Sequence, residues 1–534
     1  MVCEQMIPYH IAHRISTYRL AALAVVAGLL LTHGVPAQAA SDASSASTPA
    51  PQERVAEYTA TIDGRQLTYP AIAGDEPVVV TRHQISINGR RLRYEARAGR
   101  VPLRHAETGK VRARVFFTAY VVPSGNGSPR PITFVWNGGP GAPSVLLHTE
   151  MFGPRRLEGE RFVDNPETLL TVSDLVFYDP VGTGFSRPEG NDGSEFYSVL
   201  GDFAATAEFI RAWRARFGAD RQPLFLAGES YGTWRASGVT EILTNAGIDV
   251  AGVILISGGI PGSQMPFSFQ DAMYVPQRAA AAFHHGRLPP ELMADRAATL
   301  REAAEWARNV YRPALERVAD LTDEERERIA RSLARYTGVR PELIDRRTLV
   351  MPNAVYRRSL FEGDEKRTLD AFDMRLLGPQ PESPDRDREI ARYFREHLGY
   401  ATDLAYLGLE EGYLPSSGRE HREVGLRWSY NHTEITPEMI ERAKAGGGPP
   451  GSQPWLQRAM RANRKLRVLV AAGRFDSLNM CEGNLDMVAT LEADLASRFT
   501  SICYEGGHMM YRDPPERERL ARDVSQFVLE ASGL

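Results

Sequence analysis

Three residues far apart in a chain of 534 residues have the types and settings that hydroxyl-based nucleophilic catalysis needs. Gly228-Glu229-Ser230-Tyr231-Gly232 follows the apolar run Leu224-Phe225-Leu226-Ala227 and precedes Thr233-Trp234-Arg235-Ala236, which reads as the start of a helix. A strand, a sharp turn and a helix make a nucleophile elbow, with the serine hydroxyl exposed at the apex. Gly228 and Gly232 are expected to have a steric job there, because side chains would crowd so tight a turn. A serine hydroxyl is a weak nucleophile until a base takes its proton, and that base needs an anion to orient it. Asp476 follows a predicted strand at 466–471, and His508 follows another at 499–504. His508 is the only histidine beyond His432. Trp136-Asn137-Gly138-Gly139-Pro140-Gly141 follows a predicted strand at 132–136, and its glycines allow backbone N–H groups to turn toward a developing oxyanion.

The order serine, acid, histidine, with the last two on loops after the final strands, is that of the α/β-hydrolase fold. The elements needed to position them are legible. Strands predicted at 132–136, 175–178, 224–227, 253–256, 466–471 and 499–504 alternate with helices, which predicts a mostly parallel central sheet. Glu195–Phe217 reads as a helix with Leu200, Phe203, Ala204, Ala207, Ile210 and Trp213 on one face, and Pro515–Ala531 as a closing amphipathic helix. Residues 55–130 read as a β-rich extension continuous with the core. It holds a hairpin over 61–69 around Asp63-Gly64, a second over 86–94 around Asn88-Gly89, and a strand at 112–121. The two hairpins align down to Ala73-Gly74 and Ala98-Gly99, as either a duplication or shared turn grammar.

The expected organisation is therefore a first core segment at 131–260, a helical cap at 261–450 over the mouth of the sheet, and a second core segment at 451–534. Within the cap, Leu300, Ala304, Ala307 and Tyr311 share a face, and Pro313 interrupts the run. Thr322 with Glu325 makes a capping box ahead of Ile329, Leu333 and Tyr336. Ala445–Pro450 marks the far boundary. Residues 1–39 read as a signal peptide, with Arg14 and Arg19 ahead of the apolar run Leu20–Leu31 and Ala37-Gln38-Ala39 as the cleavage site. That run is shorter than the ~20 residues that span a bilayer. Residues 40–54, rich in Ser, Ala and Pro, read as a disordered leader.

Hydrophobic content of 43% and charged content of 24% are ordinary for a folded domain, and a net charge of −4 gives no electrostatic reason for a nucleic-acid partner. No metal-ligand or cofactor motif is present, so no metal and no cofactor are expected. Nothing in the sequence sets the oligomeric state.

Five motifs together resemble the serine carboxypeptidases. They are Trp136–Gly141, Asp179-Pro180-Val181-Gly182-Thr183-Gly184-Phe185-Ser186, Gly228–Gly232, Gly473-Arg474-Phe475-Asp476 with Gly483-Asn484, and Gly507-His508-Met509. The resemblance implies an α/β-hydrolase with Ser230 as nucleophile, His508 as general base and acid, and Asp476 as its orienter. It maps the oxyanion donors to the N–H groups of Gly139 and Tyr231, and the binding of a peptide's C-terminal carboxylate to Asn137, Gly138 and Glu229. Protonated, Glu229 would donate a hydrogen bond to that carboxylate; ionised, it would repel it, so acidic pH is expected to favour the reaction.

Two departures stand out. Ala142-Pro143-Ser144 replaces the family's Cys-Ser-Ser, and Met151 stands where a second acid belongs, with Glu150 one position earlier. The β-rich N-terminal segment and the sparse cysteines resemble bacterial members. Cys481 and Cys503 flank the Asp476 and His508 loops, and a bridge between them would tie those loops together. Peptide substrates, a periplasmic or secreted location and no stable membrane association after leader cleavage are the corresponding expectations. An esterase or acyltransferase with the same triad is the alternative, and a non-catalytic binding protein on the same fold a lesser one.

Overall fold

The computed structural model describes residues 57–533 apart from 63–64, 71–75, 124–128, 191, 263–265, 363, 365–366, 381–383, 410–423 and 445–450. The expected signal peptide, the leader and the boundary at 445–450 lie outside the described residues.

A hairpin of β1 (Glu57–Ile62) and β2 (Arg65–Pro70) precedes the main sheet. The sheet's strands are β3 (Val79–Ile87), β4 (Arg90–Arg104), β5 (Val111–Val121), β6 (Ile132–Trp136), β9 (Asp174–Tyr178), β11 (Leu224–Glu229), β12 (Val250–Ile256), β13 (Arg467–Gly473) and β14 (Phe499–Tyr504). They lie in the order β14-β13-β12-β11-β6-β9-β5-β4-β3, and β10 (Arg187–Pro188) pairs with β5. Pairing is parallel from β14 through β9 and antiparallel from there to β3. This is the α/β-hydrolase fold, a mixed and mainly parallel sheet with helical insertions. Asn88-Gly89 makes the β3–β4 turn, both residues with positive φ. β3 to β5 join the main sheet directly. A separate hairpin, β7 (Arg155–Glu158) with β8 (Arg161–Asp164), was not among the expected strands.

The inner strands are buried on both faces, so alternate residues feed two cores. Phe134, Trp136 and Leu226 pack on one face with helices α1 (Val199–Phe217), α2 (Gly232–Asn245) and Trp455–Ala462. Val135, Phe225 and Ala227 pack on the other with the closing helix Pro514–Ser532 and the segment 390–409. The helix expected at Glu195–Phe217 begins only at Val199, capped by Ser198, whose hydroxyl accepts from the Gly201 N–H. Leu200 is exposed, as is Ala204; the buried face runs instead through Asp202, Phe203, Thr206, Ala207, Ile210 and Trp213. Leu200 and Ala204 lie one turn apart, at the outward edge of the stripe whose Phe203, Ala207, Ile210 and Trp213 enter the core.

Between β12 and β13, apolar residues from Phe269 to Met374 form a core of their own. Thr322 and Glu325 make the capping box of the helix Asp323–Thr337. The helix Arg296–Trp306 gives way to a wide turn at Ala307–Tyr311 before Pro313, whose missing N–H and ring disfavour a regular turn at that point. No helix of the described residues is long and apolar enough to cross a membrane.

Candidate active site

Ser230 sits at the end of β11 with φ +58°, a left-handed conformation that costs a non-glycine residue roughly 1–2 kcal/mol. Three contacts hold it there. The Ser230 N–H donates to Ile256 O at 2.9 Å, and Ser230 O accepts from Thr233 N at 3.0 Å and Thr233 Oγ1 at 2.8 Å. The flanking glycines are required by close approach: a Cβ on Gly228 would lie 2.0 Å from Gly232 O, and one on Gly232 2.8 Å from the Trp136 ring.

β11, β13 and β14 are mutually parallel through β12, so the residues after them emerge at one edge of the sheet. Asp476 and His508 meet there, Nδ1 to Oδ2 at 2.7 Å, with both side chains buried. Ser257, at the end of β12, ties this pair to the elbow. Its hydroxyl donates to His508 O, its carbonyl accepts from Asn479 Nδ2 at 2.7 Å, and the preceding residue receives the Ser230 N–H. Asp476 is further held by Leu478 N at 2.8 Å and Asn479 Nδ2 at 3.1 Å. Burial alone would push the His508 imidazolium pKa down; the adjacent Asp476 carboxylate and the charge of Glu229 outweigh it and raise the value above 6.5. Nδ1 is occupied by Asp476, which leaves Nε2 for proton transfer.

The loop after β6 lies against the elbow. A Cβ on Gly138 would come within 2.6 Å of both Glu229 O and Tyr231 N, so only glycine lets the two backbones meet. Gly139 has φ +104°. A buried ion pair locks this junction: Arg235 Nε donates to Asp202 Oδ2 at 2.8 Å and Arg235 Nη1 to Asn137 O at 2.9 Å. Tyr231 OH donates to the same Asp202 oxygen, and its ring meets Trp428 edge-on.

Asn137 and Glu229 are both buried and hydrogen-bonded, Nδ2 to Oε2. Asn137 Oδ1 accepts from the N–H groups of Leu146 and Leu147, each at 3.1 Å, which fixes its amide orientation. Tyr511 OH donates to Glu229 Oε1 at 2.9 Å. Burial raises the Glu229 carboxyl from its ordinary 4.5 to about 7, against the opposing charge of His508 and the Tyr511 hydrogen bond. The hydrogen bonds of Glu150 run elsewhere: to Arg512, Nε to Oε2 at 2.7 Å and Nη2 to Oε1 at 3.0 Å, and to Arg386. Cys481 and Cys503 are joined, with Cα atoms 5.6 Å apart, between the loops of Asp476 and His508. Among the described residues, the one His, Cys, Asp and Glu group close enough to hold a metal is these two cysteines with Glu482, and there the sulfurs are bonded to each other.

The structure thus brings Asn137, Gly138, Glu229, Ser230 and Tyr231 together at the elbow, and joins Asp476 to His508 beside it. Sequence reasoning missed Tyr511, Asn479, Arg512 and Gln277. Gln277 donates through Nε2 to Asp476 O at 2.7 Å and Asn479 O at 2.5 Å from a helix of the segment between β12 and β13. Tyr511 and Arg512 follow His508 within four positions, and that adjacency was the available signal.

Residues 100–246 match the family model described as serine carboxypeptidase. Among similar proteins, Serine carboxypeptidase-like 26 of Arabidopsis thaliana is 34% identical over 129 residues, 22% of this chain and 28% of that protein. The pheromone-processing carboxypeptidase KEX1 of Verticillium alfalfae is 30% identical over 160 residues, 27% of this chain and 25% of that protein. The matches therefore span only about a quarter of the length of these curated relatives. A crystal structure of a prohormone-processing carboxypeptidase from Saccharomyces cerevisiae aligns over 82% of this chain and 91% of its own, at 16% identity and a TM-score of 0.44.

Proposed function

We propose, taking the match of residues 100–246 to the serine carboxypeptidases as premise, that this protein is a serine-type carboxypeptidase. It removes C-terminal residues from peptides through an acyl-enzyme. The observation that carries this reading is the buried Asn137–Glu229 pair one residue from Ser230, beside the Asp476–His508 pair at 2.7 Å.

His508 Nε2 takes the Ser230 hydroxyl proton as Oγ attacks the scissile carbonyl. Asp476 on Nδ1 fixes the tautomer and stabilises the imidazolium. The N–H groups of Gly139 and Tyr231 receive the oxyanion, and their placement is supported by the close approach of Gly138 to Tyr231 N. His508 then protonates the leaving amine, the amino acid departs, and water hydrolyses the acyl-enzyme by the reverse proton path. Glu229 supplies the specificity. Neutral below about pH 7, it donates to the substrate's carboxylate alongside Asn137; ionised, it repels it. Gly138 gives that carboxylate backbone access.

Glu150 does not serve as a second acid in this scheme, since Arg512 and Arg386 engage its oxygens. The leader motifs support a periplasmic or secreted location after cleavage, and the single cysteine pair supports the bacterial type of the family. The test is release of free amino acid from an N-blocked dipeptide near pH 5 by wild type and by Ser230→Ala, with dipeptide amides and aryl esters in parallel. Acid-selective cleavage by wild type alone is expected. Equal cleavage of acids and amides overturns the carboxylate-binding role, and a preference for esters over both points to the esterase alternative.

A further inference from the structure

We propose that Asp179 is a positioning residue for the reaction: its carboxylate pins the Gly139 loop against the segment 405–408 and so keeps an oxyanion donor in place. The inference rests on the reading of Ser230 as nucleophile and Gly139 as donor, and adds to it a residue outside the triad.

The loop from Asn137 to Ser144 needs an anchor of this kind. Gly139 and Gly141 have φ of +104° and +91°, and within the loop Ala142 N donates to Gly138 O at 3.2 Å. A glycine-rich backbone with one short turn resists displacement poorly, so its place is set by what holds its ends. One end is the close approach of Gly138 to Tyr231 N. The other is Ser144. Its N–H donates to Asp179 Oδ1 at 2.9 Å, and its hydroxyl donates to Tyr178 O at the end of β9.

Asp179 gathers more than this loop. Tyr406 OH donates to the same Oδ1 at 3.1 Å. Gly184 exchanges backbone hydrogen bonds with Leu407 at 2.8 and 3.0 Å, and Arg187 Nη2 donates to Ala405 O at 2.6 Å. Gly184 wraps the carboxylate so closely that a Cβ there would lie 1.8 Å from Asp179 Oδ2. The segment 405–408 in turn meets the loop, since a Cβ on Gly408 would lie 2.6 Å from the Pro143 ring. The motif Asp179–Ser186 is thus the joint between the two. The Asp179 carboxylate is buried, and no ion pair among the described residues engages it. Burial pushes its pKa up to about 6. A neutral acceptor would close a turn at lower cost, whereas a carboxylate grips N–H and O–H donors harder.

The experiment compares wild type with Asp179→Ala, Asp179→Asn and Tyr406→Phe on an aryl ester at pH 8, where Asp179 is ionised and no substrate carboxylate has to be bound. Fluorophosphonate labelling of Ser230 counts the active sites, so misfolded protein drops out of kcat. The second readout is the Ki of an N-blocked amino-acid aldehyde. The Ser230 hydroxyl adds across its carbonyl, and the resulting hemiacetal oxygen sits at the Gly139 and Tyr231 N–H groups. Asp179→Ala should lower kcat about tenfold, a fraction of the roughly 10²–10³-fold that loss of a whole donor costs, with KM within about twofold and Ki raised about tenfold in step. Asp179→Asn keeps an acceptor oxygen and should recover part of both changes. Tyr406→Phe removes one donor to Oδ1 and should move kcat and Ki the same way by about twofold to threefold.

An Asp179→Ala with wild-type kcat per labelled site overturns the proposal and leaves Asp179 as a brace for the fold. A lowered kcat with an unchanged Ki also overturns it, because the effect then lies away from the oxyanion. Should Asp179→Ala fail to label, Asp179→Asn and Tyr406→Phe decide: parallel shifts in kcat and Ki support the role, and unchanged values overturn it. Wild type that neither labels nor turns over the ester fails the reading of Ser230 as nucleophile, and this inference with it. Wild type that does both, beside variants that match it, fails only the role of Asp179.

Discussion

On one side of Ser230 a buried acid, Asp476, meets a buried base, His508, at 2.7 Å; on the other, the buried acid Glu229 meets the neutral donors Asn137 and Tyr511. Desolvation acts on both sides, yet the outcomes differ. In the first, it would drive the proton off His508, and the carboxylate opposite outweighs it. In the second, nothing outweighs it, and Glu229 holds its proton up to about pH 7. A buried titratable group is set by what faces it, and this site uses both settings within a few residues. The two sides also speak to each other. The charge of Glu229 helps hold the His508 proton, so a neutral Glu229 lets His508 lose that proton at lower pH.

The largest break in this comparison comes from the relay side. Ser230→Ala should lower kcat by about a millionfold, on acids, amides and esters alike, because in the proposed mechanism Ser230 attacks every acyl group. Asp476→Asn should cost about 10⁴-fold by presenting the wrong His508 tautomer, again without changing preference among substrates. Steady-state assays on the three substrate classes check both. A variant on this side that changes the acid-to-amide ratio would show that the two sides are not separable.

Glu229→Gln sharpens the comparison through pH. With a carboxyl near 7, wild-type activity on peptide acids should fall about tenfold from pH 6 to pH 8, where roughly a tenth of Glu229 remains protonated. Gln cannot ionise and still donates, so the variant should lose that basic limb and exceed wild type at pH 8 by up to about tenfold. Its acidic limb should stay close to that of wild type, since Glu229 is already neutral there. Stability carries the same sign. A carboxyl raised above its unfolded value stabilises the fold below about 4.5 and loses that contribution as pH rises through about 7, a change of about 3 kcal/mol. Urea melts of wild type and Glu229→Gln at pH 4.5 and pH 7.5 measure whether the substitution flattens that slope.

How far the sequence reached depended on whether a feature was local. The elbow, the Asn88-Gly89 turn and the Thr322–Glu325 box are each written within a few residues, and backbone sterics or capping leave them little choice. The inner strands read as continuous apolar runs because both their faces are covered. The misses are questions of neighbours. Periodicity placed Leu200 and Ala204 on the apolar face of a helix, but what packs against that face decides how much of it is covered. Arg155–Glu158 and Arg161–Asp164 pair as short strands without an alternating pattern to announce them. Tyr511 is set against Glu229 across most of the chain, and Glu150 against Arg512, by contacts that no short-range pattern encodes. The places of Ser230, Asp476 and His508 in the fold were legible because strand ends fix them. Their supporting groups were not, because packing fixes those.

Gln277 shows the smallest expected effect and tests whether the segment between β12 and β13 takes part in the relay side. It is fully buried, and its Nε2 serves the carbonyls of Asp476 and Asn479 together, with Gly473 O at 3.5 Å. Phe372, from the same segment, accepts the His508 N–H and lies against the imidazole. Gln277→Leu keeps the volume close but strips the donor, which leaves buried carbonyls unpaired at about 1–3 kcal/mol. The Asp476 loop should then loosen while Asn137, Glu229 and Tyr511 stay in place. The expected signature is a fall in kcat of about threefold to tenfold on acids and amides equally, a lower Tm, and a basic limb that stays where it is in wild type. A shift of that limb would mean that the segment between the strands also reaches the Glu229 side, and the division of the site drawn through Ser230 would have to be redrawn.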